Sequence, residues 1–355
     1  RIRQVTMATG IITTIAGIGT YGYSGVGGPA LNAMFGFGPA SAGVEGGGIC
    51  SDSVGNLYIA DSWNHRVRKV DTSGIITTIA GNGNPDSLEL GDGGPATAAS
   101  LMDPRDVAVD NGGNIYIADQ KSHRIRKVDT AGIITTVAGG NSNWGGYSGD
   151  GGPAVSADLY YPESIAVDGA GNLYIADNGN NRIRKVDTNG IITTVAGDGG
   201  YYFSGDGGPA TAAGLARPRD VAMDGAGNLY IADSGNNRIR KVDTSGIITT
   251  LAGDGSGVYP GDGFPATAVG VAQPRHIAVD GTGNLYIAEW LNNRLRKVDA
   301  SGIITTLAGT DTPWFSGDGG PVSVAELAGP GSMTVDGAGN LFFVDSLNGR
   351  IRWIH

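Results

Sequence analysis

The chain has 355 residues with 24 Lys and Arg against 34 Asp and Glu, a net charge of -10. That balance excludes nucleic acid as the main partner, because phosphate binding needs a basic footprint. No apolar run approaches the roughly 18 residues of a membrane-spanning helix, and a single cysteine excludes a disulfide framework. The hydrophobic share of 40% supports a packed core, and 63 glycines without a triplet period exclude collagen. The sequence begins at Arg1, with no leader segment, and reads as a mature or excised piece.

In chain order, the string I-I-T-T-x-A-G starts at Ile11, Ile75, Ile133, Ile191, Ile247 and Ile303. A second string, G-N-[LI]-[YF]-[IF]-[AV]-[DE], starts at Gly55, Gly113, Gly171, Gly227, Gly283 and Gly339. The spacing gives six units of about 56 residues. The fourth unit predicts four short strands. Strand a covers Asp220 to Asp224 and strand b Asn228 to Asp233; strand c covers Arg238 to Asp243 and strand d Ile247 to Ala252. Gly, Asn, Asp and Ser bound these runs, as hairpin turns require. Six such units predict an all-β, six-bladed β-propeller of four-stranded antiparallel blades. The C-terminal unit, residues 332–355, has no strand d of its own. The N-terminal segment 11–17 supplies one and closes the ring, making residues 1–355 a single domain. Arg1 to Val5 resembles a surplus strand c, displaced or left over from a longer array.

The unit G-N-L-Y-I-A-D-S-G-N-N-R-I-R-K-V-D, at Gly227 to Asp243, resembles the NHL repeat. The linker S-G-D-G-G-P-A-T-A-A, Ser204 to Ala213, is similar to linkers of bacterial extracellular NHL proteins and of the teneurin NHL domain. The resemblance covers essentially the whole chain. It implies the propeller fold, and it leaves function open between protein-interaction modules, RNA-binding modules and, more distantly, a peptide-amidating lyase.

Residues present in every unit serve the fold; residues that vary mark candidate sites. The Tyr series Tyr58, Tyr116, Tyr174, Tyr230 and Tyr286, with Phe342, reads as inter-blade packing. The acids ending strand b (Asp61, Asp119, Asp177, Asp233, Glu289, Asp345) read as surface-type partners of the arginines that open strand c, such as Arg66 and Arg238, worth about 0–1 kcal/mol each. The G-D-G-G motif offers one carboxylate per linker, short of the six to eight oxygens Ca²⁺ takes. Its aspartate is expected to bond its own loop. No cofactor is expected, and calcium is the one candidate cation.

The b–c loops and d–a linkers share one face, and most non-strand aromatics fall there. Trp63 and Trp290 replace Gly-type residues of their loops, and Trp144, Tyr202, Tyr259 and Trp314 stand in the linkers. Rigidly held loops rich in Trp and Tyr favour recognition. These six are the candidate ligand-binding residues, for a protein or glycan partner or another copy of the chain. Charges of both signs precede strand a at the channel mouth: Arg105, Asp106, Glu163, Arg219, Asp220 and His276. Convergence of these six would supply an acid–base site for a hydrolase or lyase. With four histidines, a three-His zinc site is not expected. The first expectation is a non-catalytic recognition or assembly module, extracellular or at the cell surface, of bacterial type. A segment of a larger surface or filament protein is the remaining alternative.

Overall fold

The computed structural model describes residues 10–37, 47–85, 90–140 and 144–354. Six antiparallel sheets surround one axis. In the first blade strands a to d are Ile49–Ser51, Leu57–Asp61, Arg66–Val70 and Ile76–Ala80. The fourth blade is typical of the rest: Pro218–Met223, Leu229–Asp233, Arg238–Val242 and Ile248–Ala252. Strand a therefore begins two residues earlier than the pattern predicts. Among the described residues the only helices are short 3-10 turns.

The ring closes as expected. Ile11–Ala16 pairs antiparallel with Arg350–Ile354 and so becomes strand d of the sixth blade, whose other strands are Pro330–Val335 and Leu341–Asp345. The surplus strand expected at Arg1 to Val5 lies outside the described residues.

Strand b shows why the core forms between blades rather than within them. Successive side chains point to opposite faces of a strand, and both faces are covered. Tyr58 and Ala60 of the first blade pack with Val107, Ile115 and Ile117 of the second. Leu57 and Ile59, on the opposite face, pack with Phe342, Val344 and Trp353 of the sixth. The small Ala in five of the six b strands, replaced by Val344 in the sixth, leaves room for the apolar side chains of the next blade. The Tyr hydroxyls also donate to the turn before their own strand, as from Tyr58 to Asp52 and from Tyr230 to Asp224, both at 3.1 Å.

The linkers cover the outer edges. After strand d the chain crosses to the next blade and bridges its strand d, at Pro95 to Ile133 and at Pro209 to Ile247. Linker residues Ala96, Ala99 and Leu101 then fill the gap between blades. An exposed sheet edge is a template for aggregation, and this route shields it. The linker leaves strand d at a glycine with left-handed backbone. At Gly81 (φ 88) an added Cβ would lie 2.2 Å from the His65 carbonyl oxygen.

The charge pairs differ from those the sequence predicts. The acid ending strand b bonds the second arginine of strand c, not the first. Arg68, Arg126, Arg184, Arg240, Arg296 and Arg352 are fully buried, 3.1–3.7 Å from carboxylates that are also fully buried. Arg66, opposite Asp61 in register, instead reaches outward to the carbonyls of Asn64 and Asn82. The G-D-G-G aspartate does not serve its own loop alone. Asp92, Asp150, Asp206, Asp262 and Asp318 accept from the same buried arginines at 2.6–3.1 Å. In the first blade Val26 stands at that position, and Arg68 still donates to the Ser24 carbonyl.

Removing one partner of a buried ion pair costs about 3–5 kcal/mol, whereas an exposed pair contributes about 0–1 kcal/mol. Asp177→Ala is therefore expected to destabilise the protein by about 3–5 kcal/mol. Asp150→Ala, whose carboxylate is 35% exposed and whose loss leaves Arg184 its partner Asp177, should cost less. Chemical denaturation of the two variants measures the difference; equal losses would show that burial does not set the strength of the inner pair.

Candidate functional site

Strand a lines the axis, and a β-bulge shapes its start. The register shifts between Pro104 and Asp106, Pro162 and Ser164, Pro218 and Asp220, and Pro274 and His276. Bulges re-aim side chains, and here they help place Gly48, Asp106, Ser164, Asp220, His276 and Ser332 in one ring. Ser164 donates its hydroxyl to Asp220, and His276 Nδ1 lies 3.6 Å from Asp220 Oδ2. One residue nearer the mouth, Arg219 lies 3.7 Å from Glu163, Gln120 donates to Glu163, and Arg105 donates to Gln120 at 3.3 Å. Of the six channel residues predicted from sequence, Asp220 and His276 form one close pair and Glu163 and Arg219 another, and Arg105 reaches Glu163 through Gln120. A cavity of about 260 Å³ lies along that axis, with Asp106, Asp220 and Ser332 among its lining residues.

The ring also locks neighbouring blades. Asp106 accepts the Ile165 N–H at 3.0 Å, Asp220 the Ile277 N–H at 2.7 Å, and Ser332 the Ile49 N–H at 3.0 Å. Gly48 is required beside Asp106, because a Cβ there would lie 1.9 Å from Oδ1. Burial, reinforced by the Asp220 charge, pushes the Asp106 carboxyl up to about 7. Burial alone would lower His276, but the carboxylates of Asp220, Asp106 and Glu163 carry it above its ordinary value. Cys50 faces the axial cavity, and burial with the nearby Asp106 and Asp52 charges raises its thiol. Among the described residues no group of three or more His, Cys, Asp or Glu has metal-holding geometry.

The loop face separates its aromatics into two sets. Tyr23, Tyr147, Phe203, Tyr259 and Phe315 stack on the arginines of strand c, with guanidinium carbons 3.7–4.0 Å from the ring centroids. This repeat was not evident from sequence, and it places Tyr259 within the framework. Trp63, Trp144, Tyr202 and Trp314 are exposed by 43%, 89%, 49% and 70%. Trp63 occupies the Gly position of its loop, but Trp290 stands one position earlier, where other blades carry Ser, Asn or Gln. Ser62 and Ser234 donate there to carbonyls of the next blade. Trp290 instead stacks 3.7 Å beneath Arg275 and fills the space over Gly329.

A groove between the third and fourth blades escaped the sequence reading. Tyr160, Tyr161, Asn178, Asn181, Tyr201 and Arg217 line a cavity of about 530 Å³. The sequence carries a signal for it: Leu159-Tyr160-Tyr161-Pro162 stands where other units read Leu-Ala-Arg-Pro or Leu-Ala-Gly-Pro. The residue before that proline is left-handed in five blades: Asp103, Tyr161, Arg217, Gln273 and Gly329, with φ between 42° and 70°. The Tyr161 N–H is held by His123 Nδ1 at 3.1 Å; Asn181 holds Arg217 and Asn237 holds Gln273 in the same way. The backbone is thus fixed under side chains as different as Tyr161, Arg217 and Gln273.

The repeated blades, the axial ring and the loop face define a six-bladed propeller built of NHL-type units. The family model for the teneurin NHL domain matches residues 83–147, 143–204 and 200–260, and the NHL-repeat model matches residues 47–70. The chain belongs to the teneurin-type NHL propeller family. Teneurin-4 of Mus musculus is 32% identical over 279 residues, covering 69% of this chain and 10% of its own length. The chain thus spans about a tenth of the teneurins it matches. An auxiliary nutrient binding protein from Bacteroides thetaiotaomicron superposes with a TM-score of 0.66 at 16% identity, covering 96% of this chain and 75% of its own. A virginiamycin B lyase from Staphylococcus aureus gives 0.52 at 17% identity, covering 86% and 93%. At these identities the likeness is one of fold.

The pH dependence of stability follows from the buried acids. Burial raises Asp177, Asp233 and Asp345 to about 6, and Asp106 to about 7. Each binds its proton more tightly folded than unfolded. The stability they contribute is complete below about pH 4 and is lost as pH rises through 6 to 7. His276 adds in the same direction. The turn acids, such as Asp110 and Asp224, are lowered and act oppositely, below about pH 4. The melting temperature is expected to fall between pH 5 and 8. Asp106→Asn, which still accepts the Ile165 N–H, should flatten that fall and melt above the parent protein at pH 8. An unchanged slope in thermal scans would remove Asp106 from this account.

Proposed function

We propose that the chain is a recognition or assembly module, extracellular or at the cell surface, that binds a protein or glycan through its loop face. The observation that carries this reading is a set of exposed aromatics on the loop face, Trp63, Trp144, Tyr201, Tyr202 and Trp314, with the backbone held by hydrogen bonds at Trp63, Tyr202 and Trp314. Ordering the side chains of an interface costs about 0.5–1.5 kcal/mol each, so aromatic anchors on loops already pinned bind at a lower entropic cost. The teneurin relatives and the nutrient-binding fold neighbour are in keeping with a surface location and a binding role.

The second reading is a hydrolase or lyase at the channel. It is favoured by the convergence of Asp106, Glu163, Arg219, Asp220 and His276. Against it, the Asp106 and Asp220 carboxylates already hold backbone N–H groups of the next blade. A reacting group would compete with the contacts that lock the ring.

Binding of the immobilised chain to an array of extracellular proteins and glycans tests the first reading. Trp63→Ala, Trp144→Ala and Trp314→Ala are expected to weaken the captured partner with unchanged melting temperature. Trp290→Ala is expected to lower the melting temperature, because it empties the space between Arg275 and Gly329. Full binding by the Trp63, Trp144 and Trp314 variants would sink the loop-face reading.

A further inference from the structure

The groove between the third and fourth blades differs from the rest of the loop face in chemistry as well as shape. Tyr160, Tyr161 and Tyr201 expose 37%, 38% and 59% of their surface into one region. The Tyr160 and Tyr161 rings lie 4.7 Å apart at 48°, with the His123 ring 4.7 Å behind Tyr161, edge to face. Three hydroxylated rings therefore meet a ligand at different angles. Their backbone is fixed, since the Tyr160 N–H donates to the buried Asp177 at 2.7 Å. Gly179 lies beneath, where a Cβ would sit 2.4 Å from the Tyr160 ring.

The charge at the groove is the second observation. Arg217 is exposed, with its guanidinium 5.7 Å from the Tyr201 ring. It makes no ion pair among the described residues, although the chain carries a net charge of -10. The corresponding residue in other blades is Asp103, Gln273 or Gly329. Glu163, two residues past Tyr161, accepts from Gln120 and lies 3.7 Å from Arg219. Asn178 spends its amide N–H on the Pro218 carbonyl, which leaves its oxygen as an acceptor for a hydroxyl.

We propose that this groove binds an acidic saccharide of the uronic-acid type. The C–H faces of the pyranose rings would stack on the tyrosines, and a carboxylate would pair with Arg217. The inference rests on the loop-face reading and narrows it to one site. A polyphosphate needs several cations, and Arg217 is the one cationic residue lining the groove. An added peptide strand needs an open sheet edge, and the linkers cover the outer ones. A buried apolar anchor needs a closed apolar pocket, whereas these rings are hydroxylated and half exposed.

The test is calorimetric titration of the full chain with galacturonate and glucuronate tetramers beside their carboxyl-reduced counterparts. At least one acidic tetramer is expected to bind tenfold or more tighter than its neutral form, with affinity falling as salt rises. A hydrogen bond to a charged group contributes about 1.5–3 kcal/mol, so Arg217→Gln should weaken the acidic ligand by about ten- to a hundredfold and leave the neutral one unchanged. Tyr201→Ala should weaken both forms alike. Both residues are exposed, so folding is expected to survive, and melting temperatures check this. Equal binding of acidic and neutral forms, or an Arg217→Gln variant of full affinity, would overturn the assignment. No binding of any tetramer would also overturn it, and the broader loop-face reading would then stand or fall on the tryptophan variants alone.

Discussion

A carboxylate at the end of strand b faces a fully buried guanidinium in every blade, and four pieces of chain meet at that pair. In the third blade Asp177 accepts the Tyr160 N–H from the linker and the Asn180 amide from the b–c loop, and pairs with Arg184 of strand c. Arg184 in turn reaches the Ser148 carbonyl and Asp150 of the linker. Two buried charges would be costly alone. Here the remaining oxygens and protons find partners in the chain segments that need positioning. The sheet supplies rigidity, and the ion pair transmits it to loops with little secondary structure of their own.

This constraint explains why the linkers can be long. Each contributes three apolar residues, two of them alanines in four of the six linkers, to an inter-blade cluster, bridges an outer strand, and ends at the buried acid. A linker with those anchors tolerates free variation elsewhere. Variation accordingly accumulates in three places: the exposed linker aromatics, the b–c loop positions of Trp63 and Trp290, and the left-handed residue before strand a. All three lie on one face.

The fold was legible because its signals repeat. Six copies of one strand pattern, and a strand missing at one end and present at the other, define the propeller and its closure. The charge pairing was not legible to the same degree. Opposition in the register brings Asp61 to Arg66, yet the ion pair forms diagonally with Arg68, and only the path of the linker decides between them. Tyr259 appeared as a variable aromatic because Tyr and Phe alternate at its position; stacking on Arg294 is the shared property, and residue identity hides it. Tyr160 and Tyr161 were hidden for the opposite reason. They lie beside a proline in a strand that seemed to start later, so they were counted with the linker rather than with the site.

The axial ring and the loop face make opposite demands on the same strand. In three of the six blades the side chain at the third position of strand a accepts an N–H of the next blade, which limits the choice there to groups that accept at short range. Asp106, Asp220 and Ser332 meet that demand, and Gly48 yields space to a neighbour. The residue just before strand a is left-handed in five blades, and in four of them its N–H is held by the preceding blade; its side chain ranges from the buried Asp103, paired with Arg105 and Lys121, to the exposed Arg217. Asp, Tyr, Arg, Gln and Gly all occur there. In the fourth and fifth blades, where Arg217 and Gln273 stand, a change of side chain leaves that backbone hold in place, whereas a change at Asp106 or Asp220 would break a contact between blades.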